Sequence, residues 1–260
     1  MILDRFRLDG KVAIVTGAGR GIGQGSALAF ADVGAAVVCA ARTTAQVDET
    51  VEEARRRGAR AVSVVCDVTQ REQLENLVAT AMSEFGRIDI LVNNVGGTMP
   101  KPVLRTSENF FNQAFQFNVT TAFVASRLAI PHMLEGDGGA IVNISSAAGR
   151  IPIPGFVAYA TAKAAMAHMT RVMAHEMAPR IRVNAIAVGA TLTSALAPFL
   201  DAEAKARMEK MTPLGSLGEV DDIATAVLYL ASPASRWVTG KVFEIDGGQE
   251  ASNWPLETER

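Results

Sequence analysis

The sequence predicts an α/β fold: a doubly wound parallel sheet with helices on both faces. Three observations carry that expectation. Short β-branched runs alternate with longer helical patterns along the whole chain. The runs are almost continuously apolar, as suits strands covered on both faces. A glycine-rich turn, Thr16-Gly17-Ala18-Gly19-Arg20-Gly21-Ile22-Gly23, joins the first run to the first helix, where such sheets bind phosphates.

The elements follow in order. Val12-Ala13-Ile14-Val15-Thr16 is the first strand, and residues 24–33 form the helix after the glycine turn. Further strands are expected at 36–39, 61–65 and 88–92, each a short apolar run rich in β-branched residues. Residues 108–134 read as one long helix, 140–144 as the fifth strand and 157–177 as a second long helix. Strands at 182–186 and 242–245 bring the sheet to seven. Between them, 191–218 is irregular, with Pro198, Pro213, Gly215 and Gly218 around a helical patch at 202–211. A long insertion at the carboxyl edge of a sheet suits a substrate lid. Its Leu192, Leu196, Phe199, Leu200, Met208 and Met211 suit an apolar substrate. The tail, 253–260, is polar apart from Trp254, Pro255 and Leu256 and is expected to fray, with packing of Trp254 across a subunit boundary or near the lid as the alternative. No linker, repeat or low-complexity stretch divides the chain, so 1–260 reads as a single domain.

Composition narrows the function classes. A net charge of -2 with both signs interspersed gives no basic stripe for nucleic acid. No apolar stretch is long and clean enough to span a bilayer, and the first residues lack a signal core, so a cytoplasmic protein is expected. Cys39 and Cys66 follow or end apolar runs and read as buried thiols of a reducing compartment. His132, His168 and His175 have no partner set at metal-ligand spacing, so no metal is expected. Phe110, Phe111, Phe115 and Phe117 crowd one helix and are expected to pack in the core.

The chemistry-bearing residues lie in three places. In the glycine turn, residues without side chains let the backbone approach a pyrophosphate, and the helix start supplies N–H groups. The spacing is Gly17-x-x-x-Gly21-x-Gly23, with Gly19 between. At the end of the second strand, Cys39-Ala40-Ala41-Arg42-Thr43 offers no acid for ribose hydroxyls. Arg42 suits a 2′-phosphate, and Arg20 can reach it from the other side. NADP(H) is therefore favoured, with NAD(H) possible. In Tyr159-Ala160-Thr161-Ala162-Lys163, a phenol and an ammonium share one helix face. The cation is expected to lower the phenol's pKa and tune it as a proton donor and acceptor. Ser146 lies upstream, at the end of an apolar strand.

Together, Thr16 to Gly23, Asn93-Asn94-Val95-Gly96, Ser146 and Tyr159-x-x-x-Lys163 resemble the short-chain dehydrogenase/reductase family, over essentially the whole chain. The resemblance implies a Rossmann-type sheet of strand order 3-2-1-4-5-6-7 and a nicotinamide coenzyme. It implies that Tyr159 is the acid/base and that Lys163 holds the nicotinamide ribose. It also implies that Ser146, not Ser145, bonds the substrate oxygen, and that Asn118 positions a water of the proton relay. Asp67 and Val68 would sit at the adenine, Asn94 would brace the central strands, and Gly96 would lie near the adenosine ribose. Ile186 and Thr191 would face the carboxamide, and Thr193 would be a further coenzyme contact.

Two positions depart from the family pattern. Val95 stands where alanine is usual, and Val188-Gly189 where Pro-Gly is usual, which would loosen the nicotinamide pocket. Segments 189–196 and 232–240 are similar to bacterial hydroxysteroid dehydrogenases. Lys205, Arg207 and Lys210 leave 3-oxoacyl-[acyl-carrier-protein] reductase as an alternative. A non-catalytic nucleotide sensor or scaffold is the alternative of another class. The expected partners are a small carbonyl or alcohol substrate and, from the multi-sided apolar helices, three further copies of the chain in a homotetramer.

Overall fold

The structure, a computed structural model, describes residues 1–197 and 200–254. Pro198, Phe199, Pro255 and Leu256 lie outside the described residues. Seven parallel strands form one sheet: β1 (Val12–Thr16), β2 (Ala36–Ala41), β3 (Ala61–Val65), β4 (Ile90–Asn93), β5 (Gly139–Ser146), β6 (Ile181–Val188) and β7 (Val242–Ile245). Their order is β3-β2-β1-β4-β5-β6-β7. The helices are α1 (Gly21–Asp32), α2 (Thr44–Arg56), α3 (Arg71–Phe85), α4 (Glu108–Phe115), α5 (Thr121–Glu135), α6 (Val157–Met177), α7 (Ala202–Lys210) and α8 (Val220–Ala231).

The strands explain the two layers. Successive side chains point to opposite faces. Ala13 and Val15 pack with Phe30 of α1, Val51 of α2 and Val227 of α8. Val12 and Ile14 pack with Leu77 of α3, Ala129 of α5 and Met173 of α6. Cys39 and Cys66 are buried, and burial pushes their thiols up to about 12 and about 11.

Several strands run further than expected at the carboxyl edge. β2 continues to Ala41, β5 to Ser146 and β6 to Val188, because their small or polar ends still pair in the ladder, Ala41 with Val65 and Ser146 with Val188. α1 starts at Gly21, inside the glycine turn, rather than at residue 24. The helix expected over 108–134 is interrupted. A π turn at Gln116–Thr120 separates α4 from α5 and carries Asn118. Its phenylalanines are not core residues: Phe115 is exposed and the other three are only partly covered. Lys101 Nζ lies 4.8 Å from the Phe110 ring centroid, and Phe117 packs at the edge of the α3/α5/α6 layer.

Polar groups fix the sheet at both ends. At the amino edge the buried Asp89 accepts from Val12 N (2.9 Å), Lys11 Nζ (3.0 Å) and Arg87 (2.7 and 2.8 Å). Arg182 donates to the carbonyls of Leu230, Ala231 and Ser232 and so caps the C-terminus of α8. Beneath the carboxyl edge, Asn93 Nδ2 donates to Ser126 Oγ (3.0 Å) and Asn143 Oδ1 (2.9 Å), and Asn143 Nδ2 donates to Thr170 Oγ1 (2.9 Å). That buried chain ties β4 and β5 to α5 and α6. The order reverses between β1 and β4, which places the crevice for a ligand at the carboxyl ends of those strands.

The segment after β6 leaves the sheet and returns. Its neck is closed by a parallel bridge between Thr191 and Gly218, with Leu192 N donating to Gly218 O (2.8 Å) and Gly218 N to Ala190 O (3.0 Å). Within it, Asp201 caps α7 by accepting from Ala204 N (2.7 Å), and Met208 is buried. The first residues of the tail do not fray. Asn253 is buried, and its Nδ2 donates to Thr212 Oγ1 (3.1 Å).

Candidate active site

The glycine turn is shaped by what side chains would hit. Gly17 and Gly21 have positive φ, 65° and 55°, which favours glycine. A Cβ on Gly23 would lie 2.2 Å from Gly17 O, and one on Gly19 would lie 3.0 Å from Gln46 Cβ. Asn94 holds the turn from β4. Its Nδ2 donates to Thr16 O (3.0 Å) and Gly17 O (3.3 Å), and its backbone N–H donates to Thr16 Oγ1 (3.0 Å).

The turn opens into a cleft of about 470 Å³. Gly17, Gly19, Arg20, Gly21 and Ile22 line one side, and Arg42 and Thr43 lie beside them at the end of β2. Asp67 and Val68 follow, then Asn94, Val95 and Gly96, and at the far end Tyr159, Lys163, Gly189 and Thr193. Asp67 accepts from Thr69 N (3.0 Å) and Thr69 Oγ1 (2.8 Å), and these bonds hold its carboxyl below the ordinary value. Gly23 packs the helix against the turn and is not on the cleft wall. Thr191 lies outside this cleft, its hydroxyl donating to Gly189 O (3.2 Å) at the neck of the excursion. Ile186 is fully buried in the α1/α8 layer of the core and does not line this cleft.

A second, largely apolar cavity of about 260 Å³ adjoins the cleft. Ser146, Tyr159, Val188, Gly189 and Thr193 line both. Ser146 ends β5, and its Oγ accepts from Ala148 N (3.2 Å) and acts on the neighbouring Tyr159 hydroxyl. Ser145, one residue earlier, points to the other face and donates to Lys163 O (3.1 Å). α6 carries Tyr159 and Lys163 one turn apart, with Lys163 Nζ 5.7 Å from the Tyr159 ring centroid.

The electrostatics correct one expectation. Burial raises the Tyr159 phenol, and the Ser146 hydrogen bond offsets only part of that. Burial also pushes Lys163 down from 10.5 to about 7. Its Nζ donates to Ile144 O (2.8 Å), a neutral partner. Desolvation is therefore the largest influence on both groups in the protein alone. Asn118 is fully buried behind the cleft wall rather than on it. Its Oδ1 accepts from Gly97 N (2.8 Å), and its Nδ2 donates to Gly97 O (3.1 Å) and Ala114 O (2.9 Å). It meets Lys163 across Gly96, where a Cβ would lie 2.7 Å from Asn118 Oδ1 and 2.8 Å from Lys163 Nζ.

Sequence reasoning missed Gln46, Cys66 and Phe117 in the cleft. In the second cavity it missed Ile153, Phe156, Gln249 and Asn253. The only signal among these was positional: Phe156 lies three residues before Tyr159, one helical turn away. Val95 lines the cleft, and at Gly189 a Cβ would lie 2.5 Å from Asp246 Cα, so this position needs glycine with or without a preceding proline. Among the described residues no group of three or more His, Cys, Asp or Glu could hold a metal ion. No described helix is long and apolar enough to cross a membrane.

The cleft fits a dinucleotide. It runs from the end of β2 across the switch point to α6, and its phosphate end is a glycine cradle that side chains would fill. Comparison with known proteins agrees. A family model described as enoyl-(acyl carrier protein) reductase matches residues 17–250. The chain is 51% identical over 258 residues to an uncharacterized oxidoreductase of Mycobacterium tuberculosis, covering 98% of each. It is 41% identical over 246 residues to the 7alpha-hydroxysteroid dehydrogenase of Escherichia coli K12, covering 94% of this chain and 96% of the relative. A solved 7 alpha-hydroxysteroid dehydrogenase, complexed with NADH and 7-oxo glycochenodeoxycholic acid, superposes with a TM-score of 0.92 at 41% identity, covering 95% of this chain and 96% of that one.

Proposed function

The chain belongs to the short-chain dehydrogenase/reductase family of oxidoreductases, and from that premise we propose that it transfers a hydride between NADP(H) and a hydrophobic ketone or secondary alcohol. One observation carries the reading: Ser146 and Tyr159 stand in the wall shared by the nucleotide-shaped cleft and the apolar cavity. Two hydroxyls at that junction can hold an oxygen whose carbon faces the cleft.

When bound, the nicotinamide coenzyme donates or accepts the hydride. Everything else falls to the protein. Ser146 and Tyr159 donate hydrogen bonds to the substrate oxygen as negative charge grows there. Tyr159 Oη gives up its proton on reduction and takes one on oxidation. A phenolate at Tyr159 strengthens the hold of Lys163 on its own proton, so the two ionise as a pair. Asn118 acts through Gly96 and Gly97, fixing the loop that borders both Lys163 and the cleft. The apolar cavity excludes water from the reacting carbon.

Arg20 and Arg42 support NADP(H). Both are exposed on the cleft wall, and the end of β2 has no carboxylate to meet ribose hydroxyls. NAD(H) is the competing coenzyme. The excursion at 191–218, pinned at its neck, serves as the substrate lid of a single catalytic domain. The two buried thiols fit a cytoplasmic protein.

A panel of ketones and alcohols run with NADPH/NADP and NADH/NAD tests the proposal. Reduction of hydrophobic ketones with NADPH, at least about tenfold better than with NADH, is expected. Equal use of both coenzymes removes the NADP preference, and binding of nucleotide without turnover of any substrate favours the sensor reading. A second reading, 3-oxoacyl-[acyl-carrier-protein] reductase, is favoured by Lys205, Arg207 and Lys210 on α7 and by the acyl-carrier description of the matching family model. A 3-oxoacyl thioester in the panel separates the two.

A further inference from the structure

We infer that the C-terminal segment 249–254 is the specificity wall of the substrate cavity, with Trp254 as the aromatic plate that selects fused-ring alicyclic bodies; this rests on the ketone/alcohol reading and names its substrate class. Three aromatic rings stand in succession along the cavity, Tyr159, Phe156 and Trp254. The Phe156 ring centroid lies 5.9 Å from that of Tyr159, at 62°. The Trp254 ring lies 4.9 Å beyond, edge-on to Phe156 at 85°. All three line the same cavity. Aliphatic groups of Ile153, Leu196 and Met208 complete it.

The wall is built rather than draped. Arg150, which follows the turn carrying Ser146, pairs with Glu244 (3.1 Å), Asp246 (3.2 Å) and Glu250 (2.8 Å) and donates to Gln249 O (2.6 Å). Gln249 Nε2 donates to Asn253 Oδ1 (2.9 Å), and Asn253 reaches Thr212, two residues past α7. Gln249 and Asn253 are 2% and 4% exposed. Buried amides paired in this way hold Trp254 in one place before substrate arrives, so little ordering entropy opposes binding. A ketone held by Ser146 and Tyr159 reaches Trp254 only if its body extends past Phe156. A fused-ring skeleton does so and stacks or wedges against the indole. A single small ring does not.

The test uses the full-length protein with NADPH, a four-ring oxo-steroid and cyclohexanone. In Trp254→Ala, the ratio of kcat/KM for the oxo-steroid to that for cyclohexanone falls about tenfold or more, chiefly through KM for the steroid, and Trp254→Phe restores part of it. An unchanged ratio, or an equal loss on both ketones, overturns the inference. A second measurement does not need turnover. The sequence has two tryptophans, and Trp237 is 91% exposed and outside both cavities. Trp237→Phe therefore keeps activity and leaves Trp254 as the sole indole. Its emission changes saturably on titration with the oxo-steroid, and a flat titration overturns the wall. If the unaltered protein reduces no ketone, the proposed function fails, while the emission titration still decides whether Trp254 meets a fused-ring ligand.

Discussion

At the residue scale, Lys163 is the group whose charge state the fold has moved furthest toward use. Burial brings it to about 7, so it is only partly protonated near neutral pH. An anionic coenzyme placed beside it favours the charged form. NADPH binding is therefore expected to take up a proton, and affinity is expected to weaken as pH rises from about 6 to 9. Calorimetry in buffers of different ionisation enthalpy measures that uptake, and Lys163→Met should abolish it. Affinity independent of pH across the range contradicts the assignment. The pairing of Tyr159 with Lys163 was legible because helical spacing places them on one face, and Ser146 was singled out over Ser145 by the family resemblance. The direction of the phenol's shift was not legible. It depends on how far each group is removed from water, which spacing does not reveal. Trp254 was legible only as an alternative, beside the lid or a subunit boundary, because the contacts that set its place come through Arg150 and Thr212, distant in sequence.

At the element scale, the staple at Asp89 joins β1 to β4 beneath the site. Burial raises its carboxyl, but hydrogen bonds from Arg87, Val12 N and Lys11 outweigh this and hold it below the ordinary value. A depressed carboxylate stabilises the fold above its unfolded pKa of about 4, and that contribution is lost as pH falls through the lower folded value. Asp89→Asn is expected to lose about 3 kcal/mol at pH 7, because Lys11 and Arg87 keep their charges without the buried acceptor. The gap to the unaltered protein should narrow toward pH 3. Thermal melts across pH check both, and a variant as stable as the parent at pH 7 contradicts the role. The strands themselves were legible because coverage on both faces leaves continuous apolar runs. Their carboxyl ends were not, since Ser145, Ser146 and Ala41 look like loop residues until the neighbouring strand pairs with them. Nor was the π turn, where Asn118 is bonded both to Gly97 of the loop and to Ala114 O of its own helix.

At the scale of the whole molecule, the topology expected from the family resemblance is the one observed, because alternating strands and helices with a glycine turn in the first unit admit few other arrangements. The lone chain leaves an apolar surface on α4, α5 and α6. Phe115, Phe123, Val157 and Val172 are each more than a third exposed on these helices. Burial of that surface between copies is the physical basis of the proposed homotetramer. Light scattering should give four times the chain mass, and a monomer at micromolar concentration contradicts it. In the proposed mechanism a phenol at the junction of two cavities moves the proton that accompanies hydride transfer. Tyr159→Phe removes one oxygen and keeps the ring against Phe156. Its kcat with NADPH and the best ketone, measured beside its NADPH affinity, is the most direct test. Loss of turnover by about a thousandfold or more with NADPH affinity within about threefold is the expected result. Turnover within about tenfold of the unaltered protein would contradict the account.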